Sequence, residues 1–335
     1  MDPCNSKKAD CPHVAVVGAG VIGRSWIRVF IRAGCETRVY DVDPVTQAKS
    51  LKWVEEDLAL DCRDGVMTKR EASDQRALVS AHDDLAAALR GVDYVQESGP
   101  EVLEMKESIY LEMDRTAAPD VILASSTSGL DMTEIAHGLP GAKRCIIAHP
   151  VNPPHIIPIV EVLPGKCTSP EVVGRACSFL SSVGQTPVML NFFIRGFLLN
   201  RMQAAILREA IQLVESGVAD VEAVDATIRD GLGLRWAIMG PFGVADTNAD
   251  GGVREYFTRF RDFYLTHMND LAPTPLLDDA MIERLGRATD RMVGSNSRAG
   301  ICRWRDRMIT RIRELKELDP EPSQTVGRRP QRSAL

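Results

Sequence analysis

Residues 13–26 read HVAVVGAGVIGRSW, and this stretch decides the fold. HVAVVGAG is an apolar strand ending in glycines. VIGRSWIRVFIRAG has helical periodicity and stops at Gly34. Gly18, Gly20 and Gly23 stand at the junction in the spacing GxGxxG. Glycine turns are common, so the spacing alone is weak. With a strand directly before it and a helix directly after, it has the context that a dinucleotide site requires. Gly18 allows the tight turn, Gly20 admits a pyrophosphate close to the backbone, and Gly23 lets the helix pack on the sheet. The first helical residues, Val21 and Ile22, offer free N–H groups and positive potential to phosphate.

Outward from this unit, CETRVYDVD reads as a second strand ending at Asp41. Asp41 is placed to accept both hydroxyls of an adenosine ribose. A 2′-phosphate would meet that carboxylate and Asp43, and no arginine follows at once, so NAD is expected rather than NADP. Residues 44–89 read as charged helices. VDYVQES and VILASST are further strands with a helix near 102–115 between them. RCIIAHPV, IVEVLPG, a helix over 169–183 and PVML follow. Alternation of this kind predicts an α/β fold: a Rossmann-type, doubly wound, largely parallel sheet with helices on both faces.

After about residue 190 the pattern is almost all helix, with turn signals at SGVAD and DGLGL and a loop at NADGG. The helix beginning near Gly196 has one narrow polar stripe, Arg201, Arg208, Gln212 and Glu215, and a wide apolar arc. Such an arc predicts burial on several sides. One helical lobe is too small to cover such faces alone, so a homodimer is expected. The domains are read as a flexible N-terminus at 1–11, the Rossmann domain at 12–190, an all-helical substrate and dimerisation domain at 191–316, and a disordered tail at 317–335.

The chain has 335 residues, 44% of them hydrophobic, and a formal net charge of −6. These values describe a globular protein of two domains and disfavour nucleic acid as a partner. No apolar run is long enough for a bilayer, and the N-terminus lacks a signal-peptide core, so a cytoplasmic protein without membrane partners is expected. The eight cysteines form no CxxC pair and no zinc-spaced cluster with histidine. They read as reduced thiols, and no metal site is expected.

Residues 148–162 read AHPVNPPHIIPIVEV. His149 ends one strand, Glu161 lies on the next, and a stiff, proline-rich connection can return the carboxylate beside the imidazole. A carboxylate on one ring nitrogen fixes the tautomer and leaves the other nitrogen free to take a proton. His155, within the turn, reads as pocket lining or surface. ASSTSGL adds Ser125, Ser126, Thr127 and Ser128 at the end of another strand, as oxygen-binding hydroxyls or helix caps. No GxSxG elbow supports a serine nucleophile.

VVGAGVIGRSW, SSTSGL, IIAHPVNPP, IPIVEVLPG, GFLLNRMQAAILREA and GLGLRWAIMGP occur in this order. Through them the chain resembles the 3-hydroxyacyl-CoA dehydrogenase superfamily over roughly residues 12–315. The resemblance is strongest to its lambda-crystallin branch, which includes L-gulonate 3-dehydrogenase. The resemblance implies His149 as catalytic base, Glu161 as its partner, and Ser128 as the hydroxyl that orients the substrate's 3-oxygen. It implies Asn152 and Asn200 as site asparagines, and Glu101 and Lys106 as residues near the NAD riboses. On the helical wheel Asn200 falls inside the apolar arc, where a buried amide must find partners.

Arg235, in a segment that the resemblance brings toward the active site from its own or a partner subunit, can clamp a free carboxylate with two parallel hydrogen bonds. Trp236, with Phe242, Tyr256 and Phe257, could instead build a wall for a quaternary ammonium, as in the related L-carnitine dehydrogenases. Residues 45–90 are acidic to balanced, which disfavours the phosphates of an acyl-CoA. The expectation is therefore an NAD-dependent dehydrogenase of a small, L-gulonate-like 3-hydroxy acid. L-carnitine, a 3-hydroxyacyl-CoA and a specialised biosynthetic ketone remain as alternatives. A crystallin-like, non-catalytic NAD-binding protein is the alternative of another class.

Overall fold

The computed structural model describes residues 12–271, 274–275 and 277–319. The expected flexible segment at 1–11 and all but the first residues of the expected tail lie outside them. The chain divides into two compact units, Met1–Arg201 and Met202–Leu335.

The first unit runs β1 (Val14–Val17), α1 (Val21–Arg32), β2 (Thr37–Tyr40), α2 (Pro44–Arg63), α3 (Lys69–Ala77), β3 (Val79–Ala81), α4 (Leu85–Leu89) and β4 (Tyr94–Glu97). It continues with α5 (Leu103–Thr116), β5 (Ile122–Ser125), α6 (Met132–Ile135), β6 (Cys145–Pro150), β7 (Ile159–Pro164), α7 (Pro170–Ser182) and β8 (Thr186–Met189). The eight strands form one sheet in the order β3-β2-β1-β4-β5-β6-β7-β8. Every neighbouring pair is parallel except β6 and β7.

The period-2 alternation of strands sends side chains to two separate cores. Val14 and Val16 of β1 face a core built with Trp26, Val29 and Phe30 of α1, Val54 and Leu58 of α2, and Phe179 of α7. Ala15 and Val17 face the other, with Leu85 and Leu89 of α4, Tyr110 and Met113 of α5, and Met132 and Ile135 of α6. The sheet is thus covered on both faces, as a doubly wound fold requires.

β3 is a strand where only helices were expected. It is three residues long, and of these only Val79 is buried, so it leaves almost no apolar signal. The segment after residue 190 belongs with the sheet for a packing reason: Leu190 and Phe197 are buried in the second core and Ile194 packs against it.

α8 (Leu199–Glu215) leads into the second unit. Its apolar arc was expected to be buried on several sides, yet only Val214 is buried, and Met202 and Leu207 are about half exposed (57% and 49%). Helical periodicity reports that a face needs covering; it does not report which chain covers it.

The second unit continues with α9 (Val221–Ala226), a π-helical stretch (Thr227–Leu232), α10 (Gly233–Trp236), α11 (Pro241–Asp246), α12 (Gly252–Arg259), α13 (Arg261–Asp270), α14 (Asp279–Val293) and α15 (Arg298–Leu318). The turn expected at DGLGL is therefore corrected, because residues 221–236 are helical throughout. A Cβ at Gly233 would lie 2.7 Å from the Ile228 carbonyl oxygen. That glycine accommodates the widened turn instead of ending the helix.

Among the described residues no helix is long and apolar enough to cross a membrane. Cys62, Cys145, Cys167, Cys177 and Cys302 are free. Burial pushes the Cys145 thiol up to about 12, which keeps it unreactive. Cys35 is disulfide-bonded, so the reading of all the cysteines as reduced thiols is corrected at that position.

Candidate active site

Strand order reverses between β1 and β4, and ligands of open α/β sheets bind at the carboxyl ends of strands at such a point. A cavity of about 440 Å³ lies here, lined by Gly18, Gly20, Asp41, Ser98 and Gly99 among others. Each motif glycine answers a steric demand. Gly18 has φ +91, and a Cβ there would stand 2.8 Å from the backbone of Ser98 and Gly99. A Cβ on Gly23 would stand 2.0 Å from the Gly18 carbonyl oxygen, so only glycine lets α1 approach the turn. A Cβ on Gly20 would meet nothing within 4 Å: that side of the turn is open to a ligand.

Gly20 also caps α1 without a side-chain hydrogen bond, leaving the N–H groups of the first turn for a phosphate. Asp41 also lines the cavity. Its carboxylate accepts from Ala19 N at 2.6 Å and Asp43 N at 2.9 Å, so it is held rigidly where a ribose would lie. The open cradle, the helix terminus and the fixed carboxylate together fit the adenosine diphosphate half of NAD.

The chemical pair comes from the one antiparallel hairpin. In the β6–β7 register His149 stands directly opposite Glu161, which brings facing side chains within contact distance. His149 Nδ1 lies 2.8 Å from Glu161 Oε2, and the two residues are 7% and 2% exposed. The second carboxylate oxygen, Oε1, accepts from Leu198 N at 2.7 Å and Leu199 N at 2.9 Å. Burial, the largest single influence on Glu161, pushes its pKa up. The hydrogen bond from His149 and those from the N–H groups of Leu199 and Leu198 outweigh it, and the carboxyl is held below its ordinary value. An ionised carboxylate only accepts, so Nδ1 carries the proton and Nε2 is left as a basic nitrogen.

Phe197 shapes this arrangement and no sequence signal marked it. It is fully buried, its ring meets His149 edge-on at 5.3 Å, and its backbone is left-handed at φ 49. That conformation costs a ring-bearing residue about 1–3 kcal/mol. Here it turns the chain so that two successive N–H groups converge on Oε1.

The four hydroxyls after β5 divide by use. Ser125 donates to Glu97 at 2.6 Å, and Thr127 to Glu101 at 2.6 Å. Ser126 is the hub of a network with Trp26, Gln96 and Ser98. Ser128 is exposed; Glu101 Oε1 accepts from its N–H and, at 3.3 Å, from its hydroxyl. Glu101 therefore orders the Ser128 turn. Lys106 lines the cavity, but it is buried and its ammonium is paired with both oxygens of Glu97 at 2.8 and 2.9 Å. A ribose there would meet the Glu97–Lys106 pair instead of a free cation.

Asn152 is exposed in the loop after β6, and Asn200 follows Leu199 in the first turn of α8 and is half-buried instead of fully enclosed. In the second unit Arg235 is exposed and Trp236 half-buried on α10. The anticipated aromatic wall differs in membership. Tyr256 and Phe257 pack with Phe260, Phe263 and Tyr264. Among the described residues Trp236 and Phe242 join no ring contact with them, and Phe242 is 74% exposed.

Residues 13–192 match the 3-hydroxyacyl-CoA dehydrogenase NAD binding domain, and residues 196–295 match the C-terminal domain of the same enzyme. The chain belongs to the 3-hydroxyacyl-CoA dehydrogenase family. It is 36% identical over 311 residues to the lambda-crystallin homolog of Bos taurus, covering 92% of this chain and 97% of that protein. It is 34% identical over 311 residues to an L-carnitine dehydrogenase of Streptomyces coelicolor, covering 92% and 96%.

Among solved structures it superposes, with a TM-score of 0.76 and 26% identity, on 5-formyl-3-hydroxy-2-methylpyridine 4-carboxylic acid 5-dehydrogenase, described as an NAD+ dependent dismutase. That match covers 91% of this chain and 98% of the other. Family match and cofactor cleft agree: this member of the family is an NAD-dependent dehydrogenase acting on a CH–OH group.

Proposed function

We propose that the enzyme oxidises the C3 hydroxyl of a small free carboxylic acid, L-gulonate-like in character, to the 3-keto acid, or runs the reverse. The observation that carries the chemistry is the buried His149–Glu161 pair with its fixed tautomer. Bound NAD supplies the hydride acceptor. His149 Nε2 takes the hydroxyl proton, and Glu161 stabilises the imidazolium that results. Ser128 and Asn200 hold the 3-oxygen, and Asn152 lines the substrate side. Gly18, Gly20, Gly23 and the N–H groups of Val21 and Ile22 hold the pyrophosphate. Asp41 holds the adenosine ribose, and Glu101 with Lys106 borders the cofactor.

Two observations favour a free acid over a CoA thioester. The helices after β2 carry no cationic excess: α2 and α3 together hold six basic and six acidic residues, and Asp57 and Asp61 of α2 are paired with the buried Arg28. A CoA phosphate needs cations there. Two relatives also act on free carboxylates by name, L-carnitine and a pyridine carboxylic acid. The quaternary-ammonium reading loses support because Trp236 and Phe242 make no ring contact with the aromatic cluster among the described residues.

A panel of L-gulonate, L-carnitine, 3-hydroxybutyrate and 3-hydroxybutyryl-CoA, followed by NADH absorbance, tests the assignment. Turnover is expected with a free hydroxy acid. Turnover of the thioester alone, or of nothing, would overturn it.

The exposed apolar arc of α8, together with exposed Leu234 (63%) and Ile238 (61%), supports a homodimer. Light scattering at micromolar protein should return twice the chain mass. A monomer would contradict the dimer.

A further inference from the structure

Arg24 keeps a buried donor without a hydrogen bond among the described residues. It follows Gly23 directly on α1, and the donor is its Nε. Its guanidinium carbon lies 4.5 Å from the centre of the Trp53 ring on α2. The nearest acids are already engaged. One turn further along α1, Arg28 donates to Asp57 and to Gln75 and is paired with Asp61. A half-buried guanidinium held against an indole, with a donor left unpaired, is costly unless a ligand completes it.

Its surroundings say where that ligand would lie. Trp53 meets the His155 ring edge-on at 5.6 Å, and Arg32 donates to the His155 carbonyl at 2.8 Å. The loop that leaves His149 and carries Asn152 is thereby pinned onto α1. Arg24 thus stands on the helix whose start cradles the cofactor, and Trp53, on which it stacks, touches the loop that extends from the catalytic base.

We propose that Arg24 is the carboxylate-binding residue of the substrate pocket, taking the acid group in a two-bond clamp with Trp53 as the platform that holds the guanidinium flat. This rests on the free-acid reading and moves the role that the sequence suggested for Arg235 to the sheet-bearing unit. Arginine suits the task because its planar fork matches a carboxylate, and stacking on an aromatic ring removes little of its hydrogen-bonding capacity.

The test compares 3-hydroxybutyrate with 3-hydroxybutyramide, which has the same shape and no charge. Both are titrated by calorimetry into the NADH-loaded enzyme, where the alcohol cannot react. The wild type should prefer the acid by roughly tenfold or more, as a charge-assisted hydrogen bond implies. In Arg24→Gln the preference should collapse to about twofold or less, and in Arg24→Lys it should be intermediate.

A preference that survives Arg24→Gln, or that is lost instead in Arg235→Gln, overturns the proposal. So does equal binding of acid and amide by the wild type. Loss of NADH affinity in Arg24→Gln would assign the residue to the pyrophosphate and overturn it too. Failure of the free-acid reading looks different: Arg24-dependent carboxylate binding with no turnover of any free acid.

Discussion

Replacing His149 with glutamine is expected to lower kcat by about 10²–10⁴-fold, the usual worth of a positioned general base. NADH affinity should stay within about twofold of the wild type. The two halves of this expectation come from different parts of the sheet. His149 is not among the residues lining the cavity at the β1–β4 switch point, so the binding of the cofactor's adenosine end does not pass through it. Its imidazole contacts the buried carboxylate of Glu161 through Nδ1, which leaves Nε2 to meet the substrate.

Glutamine can still donate to Glu161 Oε2 and fill most of the space beside Phe197, so the fold should persist. It cannot take a proton at neutral pH. Single-turnover rates and NADH fluorescence titration separate the two effects. A variant that turns over within a few-fold of the wild type would remove His149 from the mechanism.

The parts of this architecture that were legible in the sequence are those carried by short-range rules. The strand–glycine–helix unit at 13–26 could be read because three steric demands fall within six residues: a positive φ at Gly18, an open approach at Gly20 and a 2.0 Å clash at Gly23. The His149–Glu161 pair could be read because a hairpin converts a sequence interval into a spatial register, and the β6–β7 register sets those two residues face to face.

Where a contact depends on chain segments far apart, nothing local announced it. Leu198 and Leu199 hold Glu161 through backbone N–H groups, which have no residue signature. Phe197 adopts a conformation that its side chain disfavours, and only the finished packing supports it. Arg24 reads as one more polar residue on a helix surface until Trp53 of α2 packs against its guanidinium. Lys106 shows the converse case: its position was anticipated, while its pairing with Glu97 was not, since eight residues and a helix start lie between them. The π-helical stretch at 227–232 misled because glycines at 231 and 233 ordinarily mark a stop, whereas here one relieves a contact with the Ile228 carbonyl.

Glu161→Gln should lower kcat by about 10–150-fold, the equivalent of losing one charge-assisted hydrogen bond of about 1.5–3 kcal/mol at the moment the imidazole becomes cationic. The carboxylate serves three donors at once: His149 Nδ1 on Oε2, and the N–H groups of Leu198 and Leu199 on Oε1. An amide has one carbonyl oxygen. If that oxygen keeps the two backbone donors, its NH₂ group faces the protonated Nδ1, and a donor opposes a donor. The ring is then driven toward the wrong tautomer, with its basic nitrogen turned to the glutamine and not to the substrate.

The same carboxyl predicts a pH signature in stability. Its pKa in the folded protein lies below the ordinary value of 4.5. Its ionisation therefore adds stability that is fully present above about pH 4.5 and is lost as pH falls through the folded value. Glutamine does not titrate and lacks this contribution. Chemical denaturation should show the wild type's advantage over Glu161→Gln to be largest near neutral pH and to shrink below about pH 4.5. An advantage that stayed constant across that range would mean that the Glu161 charge is not what holds the hairpin, the base and the start of α8 together.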